Sequence, residues 1–290
     1  MLLLDKPVGL SSNAALQRVR WLAGRIKAGH TGSLDPLASG MLPICLGEAT
    51  KLAGEMLSQS KCYRFGVQLG ERSQTGDAEG EIVERCAVPP LTQQSVTAVL
   101  ERFRGEQQQV PPMYSALKRQ GEPLYRLARQ GLSVERESRR IAIAALDLLE
   151  LAHARLQLRV LCTKGTYVRV LAEDIARALG TCGRLHELRR EFVEPFADEP
   201  MVSLEQLQAA TESGSGWPIL PADRAVSHLP ALTLDQISVR ALVHGKSLAA
   251  TAALSGPCRL YDEAGRFLGL GEADSAHILR VRRLFAAAQQ

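Results

Sequence analysis

The run Gly29-His30-Thr31-Gly32-Ser33-Leu34-Asp35-Pro36 is the first place in this sequence to look for chemistry. It is too rich in glycine and proline for regular structure, and reactive groups concentrate on loops held by a rigid scaffold. It offers one carboxylate, Asp35, and one imidazole, His30. A carboxylate can serve as a nucleophile or accept a proton. Taken alone, an Asp before Pro in a Gly-rich loop is more commonly an ordinary turn residue bonded to nearby amides. Tyr63 on an apolar strand face reads as core, and Arg169 on a helix face as surface charge. Single residues leave these roles open.

Other chemistries lack their residues. Cys45, Cys62, Cys86, Cys162, Cys182 and Cys258 form no CxxC pair, and no His stands at zinc-finger spacing, so no metal is expected. No Rossmann fingerprint or P-loop occurs, so no nucleotide cofactor is expected. Scattered thiols fit a reducing cytoplasm better than a disulfide framework. The start, Met1 to Pro7, lacks the basic region and apolar core of a signal peptide. No apolar run approaches the roughly 20 residues of a membrane span. These readings predict a cytoplasmic protein with no membrane contact.

The elements that must position Asp35 follow from local pattern. Leu2 to Leu4 is a short apolar run stopped by Asp5-Lys6-Pro7, a buried strand entering a turn. Ser11, Ser12 and Asn13 offer N-caps for a helix with Leu16, Val19, Leu22, Ala23 and Ile26 inward, ended by Gly29. Lys61 to Gly70 alternates, with Tyr63, Phe65, Val67 and Leu69 on one face, and is a strand. Thr92 caps a helix carrying Val96, Val99, Leu100 and Phe103. Strands follow at Ile141 to Leu151 and Arg155 to Cys162. A helix after Thr166 turns Leu171, Ile175 and Leu179 inward and stops at Gly180. Several neighbouring strands lack a crossover helix, which predicts an α+β fold with a mixed, largely antiparallel sheet. The stretch from Gly214 to Pro230 is rich in Gly and Pro, and we place a boundary at 228/229. Beyond it, a hairpin about Asp262-Glu263-Ala264-Gly265 and a last strand from Ile278 to Phe285 suggest a small β module.

The chain has 290 residues, 46% hydrophobic and 23% charged, with net charge +4. That balance is too mild to name a nucleic-acid partner. The charge is nonetheless segregated: Arg159 to Arg190 holds seven Lys/Arg against three acids, and Glu191 to Asp223 holds seven acids and no Lys or Arg. On charge alone, solvated helix faces that happen to cluster explain this equally well; on the other reading a basic helix around Arg177, Arg184, Arg189 and Arg190, with Lys118, Arg119, Arg126 and Arg129, would grip phosphates.

The loop extended to Pro43 resembles the signature of the TruB family of tRNA pseudouridine synthases. The resemblance continues in family order through Leu4-Asp5-Lys6-Pro7, Lys61-Cys62-Tyr63-Arg64, Thr75-Gly76-Asp77-Ala78-Glu79-Gly80, Pro111 to Lys118, Cys162 to Arg169, and Leu188-Arg189-Arg190. It departs at Glu191 to Pro195, where the family more often has Thr or Gly. The C-terminal segment is similar to the family's PUA-like domain only loosely.

The resemblance implies an isomerase that converts the T-loop uridine at position 55 of tRNA to pseudouridine, with no cofactor. Asp35 is the implied essential carboxylate, paired with Arg169. Tyr63 would stack on the uracil and help remove its C5 proton, and Tyr167 and Leu188 would complete a dry base pocket. His30 would hold the rearranged RNA loop once the base has left its stack. Lys6 would support the catalytic loop or contact phosphate. The implied partner is the tRNA T-arm, with no obligate protein partner. Three other readings compete. A tRNA folding chaperone without catalysis is opposed by the intact Asp35, Tyr63 and Arg169. A guide-RNA-dependent subunit usually carries longer terminal extensions. A glycosidase would need a second acid in a comparable motif.

Overall fold

The computed structural model describes residues 1–115, 117–119, 121–250 and 254–285. In chain order the strands are β1 (Leu2–Lys6), β2 (Ala28–His30), β3 (Ala38–Leu46), β4 (Lys61–Leu69), β5 (Glu71–Ser73), β6 (Ile82–Arg85), β7 (Gly105–Gln109), β8 (Lys118–Arg119), β9 (Glu122–Pro123), β10 (Arg139–Ala152), β11 (Arg155–Cys162) and β12 (Gly183–Val193). A second group is β13 (Ala231–Leu234), β14 (Leu248–Ala249), β15 (Gly256–Asp262), β16 (Phe267–Ala273) and β17 (Ile278–Leu284). The helices are α1 (Ser12–Leu22), α2 (Ala53–Leu57), α3 (Gln93–Glu101), α4 (Leu124–Arg129), α5 (Val168–Ala178), α6 (Leu204–Ser213) and α7 (Gln236–Val243).

The main sheet runs β1-β3-β12-β4-β11-β10-β7, with β2 added on β3. Its pairings are antiparallel except β3 with β12. This is the mixed, largely antiparallel sheet of an α+β fold. Alternation along β4 sends Tyr63, Phe65, Val67 and Leu69 into one core with α3 and α5, while Arg64 stays exposed on the other face. The four apolar residues at the N-terminus divide between two layers. Leu2 and Leu4 pack on α1 and α6, and Met1 and Leu3 on the opposite side. A strand buried on both faces reads as a continuous apolar run, which is what Leu2 to Leu4 shows.

Five expectations need correction. The first helix ends at Leu22, not Gly29, because Gly24 and Arg25 take positive φ (68° and 63°) and reverse the chain. Ala28–His30 then pairs with Leu46–Ile44, so part of the expected loop is strand. The expected basic helix through Arg184, Arg189 and Arg190 is also strand. Register shifts at Leu185/Glu187 and Arg190/Phe192 break the alternation of β12 and hide it from pattern reading. The C-terminal segment, read as short strands, includes α7, capped by Asp235. Finally, Cys86 and Cys182 are disulfide-bonded across 96 residues, whereas no disulfide was expected; Cys45, Cys62, Cys162 and Cys258 are free and buried.

The five-stranded C-terminal sheet does not stand apart from the rest. Leu270 and Phe285 share one core cluster with Met1, Met41, Met56 and Val226. Arg282 pairs with Glu55, and the Tyr261 hydroxyl donates to Asp223 at 2.7 Å. No helix among the described residues is long and apolar enough to cross a membrane.

Candidate active site

The Asp35 loop joins β2 to β3 and is tied down from three directions. Ser12, in the first turn of α1, accepts from the Leu34 amide at 2.7 Å and donates to the Leu34 carbonyl at 3.0 Å. The Gly9 amide donates to the Pro36 carbonyl at 2.7 Å. Arg190 on β12 donates to the Gly32 carbonyl at 3.0 Å. A Gly/Pro-rich segment thus acquires a fixed course through partners distant in sequence.

Arg169 stands in the first turn of α5 with 7% of its side chain exposed. Its Nη2 lies 3.1 Å from Asp35 Oδ2 and donates to the Tyr114 carbonyl at 2.7 Å. Its Nη1 lies 3.4 Å from Asp77 Oδ2 and donates to the Thr75 carbonyl at 3.2 Å. Asp77, 4% exposed, is itself held by the Thr75 hydroxyl at 2.5 Å and the Glu79 amide at 3.1 Å. The planar fork of arginine satisfies this divided set of acceptors in a way a point charge cannot.

Burial pushes the Asp35 carboxyl above its ordinary pKa; Arg169 pulls it down and Asp77 pushes it up, and burial prevails. The Arg169 cation thus tempers the desolvation without reversing it. The side chain remains 43% exposed, so water still reaches the carboxyl.

Asp35, Arg169, Tyr63, Tyr167 and Leu188 line one cavity of about 300 Å³, the lower end of the range for ligand pockets. Tyr63 and Leu188 are buried, each 8% exposed, and burial raises both the Tyr63 and Tyr167 phenols. The Tyr167 backbone is fixed by the Gln109 side chain, which accepts from its amide at 2.7 Å and donates to its carbonyl at 3.2 Å. His30 is not among the lining residues. It is half-buried on β2, its Nδ1 has no hydrogen-bond partner among the described residues, and burial, then Arg190, lowers its pKa.

Several residues escaped the sequence reading. Asp77 appeared only as part of a turn, although its Thr-Gly-Asp setting was the available signal. Lys61 lines the same cavity, donates to the Gln59 carbonyl at 2.5 Å, and has its pKa lowered to about 8 by burial. Lys6 is fully buried and donates to the Pro7 and Leu10 carbonyls at 2.8 and 2.7 Å, so it braces the loop and does not reach phosphate. Arg190 is also fully buried, which removes it from the expected phosphate grip. Arg189 forms a two-pronged pair with Asp5, and Arg184 pairs with Glu71. Lys118, Arg119, Arg126 and Arg129 are exposed on β8 and α4. The unusual Glu191 is held by Arg64 and Arg159 at 3.1 and 2.6 Å, on the sheet face away from the main helical core. No group of three or more His, Cys, Asp or Glu among the described residues is arranged to hold a metal ion.

Residues 20–168 match the model of the TruB family pseudouridylate synthase N-terminal domain. Residues 169–227 match the tRNA pseudouridylate synthase B C-terminal domain, and residues 230–285 the pseudouridine synthase II TruB C-terminal model. The chain is 46% identical to the tRNA pseudouridine synthase B of Pseudomonas putida, covering 98% of this chain and 94% of that one. It is 47% identical to the protein of that name from Aromatoleum aromaticum, covering 100% and 94%. Among solved structures it resembles a chain of a Cbf5-Nop10-Gar1 complex, with TM-score 0.75, 24% identity, and coverage of 98% and 84%. At that identity the likeness speaks to the fold. A carboxylate–guanidinium pair in a half-closed aromatic cavity, matched family models along most of the chain and near-full-length relatives together establish that this chain belongs to the TruB family of pseudouridine synthases.

Proposed function

We propose that the protein isomerises the uridine at position 55 in the T-loop of tRNA to pseudouridine, and that Asp35 is the group without which the reaction does not occur. Relatives at 46–47% identity over nearly the whole chain carry the tRNA uridine-to-pseudouridine assignment. The observation that carries the residue assignment is the Asp35–Arg169 pair at 3.1 Å in the wall of the cavity.

The reaction breaks the N1–C1′ bond, turns the uracil and joins C5 to C1′. The base must leave its stack to reach a recessed carboxyl. Asp35 then acts on the sugar or base as nucleophile, or takes a proton from C2′. Arg169 holds the Asp35 carboxylate in place and offsets part of its desolvation. Tyr63 stacks on the uracil, Tyr167 and Leu188 close the pocket, and His30, set back from it, supports the opened RNA loop. The exposed Lys118, Arg119, Arg126 and Arg129 suit phosphate contacts to the T-arm. The reading further takes 1–228 as the catalytic unit and 229–290 as a PUA-like RNA-binding unit, working in the cytoplasm without an obligate protein partner.

The test is an unmodified tRNA transcript incubated with purified protein, followed by mapping of pseudouridine. Modification confined to the T-loop uridine is expected. Modification elsewhere, or binding without modification, overturns the assignment.

A further inference from the structure

Arg190 is among the largest fully buried side chains of the described residues. Its Nε donates to the Met41 carbonyl at 2.7 Å and its Nη2 to the Gly32 carbonyl at 3.0 Å. Among the described residues, no carboxylate forms an ion pair with it. A buried guanidinium without a carboxylate is expensive to keep, and a neutral side chain could fill such a core position, so the charge calls for a use.

The backbone fixes where that charge points. Arg190 sits opposite Tyr63 across the β12–β4 pairing and opposite Gly40 across the parallel β12–β3 pairing. A Cβ at Gly40 would fall 2.1 Å from the Arg190 carbonyl, at φ +101°, so only glycine permits this approach. Arg190 therefore bridges the base-stacking tyrosine and the loop that carries Asp35. Both residues line the same cavity, and the charge of Arg190 opposes the upward pull of burial on the Tyr63 phenol. Cys162 and Asp35 are the other titratable groups facing Tyr63. Lys6, His30 and Lys61 face Arg190 from β1, β2 and β4, and its charge favours the neutral form of each.

We propose that Arg190 is a positioning residue for the isomerisation: it sets a positive charge opposite Tyr63 in the cavity wall while fixing the Asp35 loop through Gly32, so that the Tyr63 oxygen accepts the C5 proton of the reattached base. This rests on the reading under Proposed function. In the step, the C5–H bond breaks and its electron pair closes the C5=C6 double bond. The C6=N1 pair settles on N1, which takes up a proton from solvent. Tyr63 rests as the phenol; it first gives its proton to solvent, the guanidinium offsets the negative charge of the phenolate so formed, and that oxygen then takes the C5 proton, which restores the phenol.

The test is single-turnover pseudouridine formation on tRNA carrying hydrogen or deuterium at C5 of the target uridine. Arg190→Gln should slow the reaction on the order of 10²-fold, the usual scale of proton-transfer assistance, and should bring out a C5 deuterium isotope effect. Combined with Tyr63→Phe it should add little further loss, because both changes disable one device. A comparable rate loss without an isotope effect, or losses that multiply in the double variant, would mean that Arg190 only supports the fold, and the proposal fails. If Arg190→Gln does not fold, Tyr63→Phe alone decides. It leaves the guanidinium in place and should itself show the isotope effect; a rate close to wild type without one overturns the proposal. Normal pseudouridine formation by the wild-type protein in the same assay separates this failure from failure of the functional reading.

Discussion

Replacing Arg169 with lysine keeps the charge and removes the fork. The guanidinium serves Asp35, Asp77 and the carbonyls of Thr75 and Tyr114. A single ammonium group on a shorter reach can serve Asp35 or Asp77, not both. The two sides are unequal. Asp77 is 4% exposed, and leaving a buried carboxylate without its cation destabilises by roughly 3–5 kcal/mol. Asp35 is 43% exposed, so solvent screens that pair and its loss alone is worth roughly 1 kcal/mol or less. The lysine should therefore stay with Asp77 and leave Asp35 unheld. Misplacement of a reacting group by about 1 Å slows chemistry roughly 10²-fold, equivalent to about 2.7 kcal/mol in the barrier. The assay is tritium release from C5-labelled tRNA with enzyme in excess, beside a binding measurement and a thermal melt. We expect a chemical rate down on the order of 10²-fold, near-normal tRNA affinity and a folded protein. A lysine variant within about threefold of the wild-type rate would refute the claim that Asp35 is placed by the fork.

Asp77→Asn should lower stability by roughly 3 kcal/mol, read by urea denaturation, because Arg169 loses its buried partner. The same change removes a negative neighbour that raises the Asp35 pKa, so the acidic limb of the single-turnover rate should move to lower pH; an unmoved limb would show that Asp77 does not act on Asp35. Gly40→Ala should prevent stable pairing of β3 with β12, read as loss of the cooperative melt, since its Cβ would meet the Arg190 carbonyl. Removing residues from 229 onward should lower the melting temperature as well as flatten the salt dependence of tRNA affinity, because Leu270 and Phe285 belong to a core shared with Met1 and Met41. A truncated protein with an unchanged melt would mean that the shared core contributes little.

How much of this was legible beforehand depended on whether a signal was local. Ser11 and Thr92 cap the helices they were expected to cap, because an N-cap is a short-range hydrogen bond. The β4 alternation placed Tyr63 facing inward before any tertiary contact was known. Hydrophobic pattern could not find β12. It lies between β3 and β4, and its course depends on pairing with segments well over a hundred residues away. For the same reason Arg190, spaced like a surface charge, is buried, and Lys6 braces carbonyls instead of meeting solvent. The lining of the cavity by Asp35 and Arg169 came from a motif resemblance, whereas the participation of Asp77 needed coordinates. The Cys86–Cys182 bond could not be read from spacing, because only the folded chain brings the end of the β5–β6 hairpin to the start of β12.

The central claim, that the Asp35 carboxylate performs the chemistry and the rest of the pocket places it, is tested most directly by Asp35→Asn. Burial raises the Asp35 carboxyl, so its ionisation opposes folding above that raised pKa and is relieved as pH falls below it. At neutral pH the neutral amide should therefore leave the melting temperature equal to or above that of wild type. With folding secured and tRNA affinity near normal, pseudouridine formation should be undetectable even with enzyme in excess over many half-lives of the wild-type reaction. Measurable turnover by a verified Asp35→Asn preparation would contradict the account.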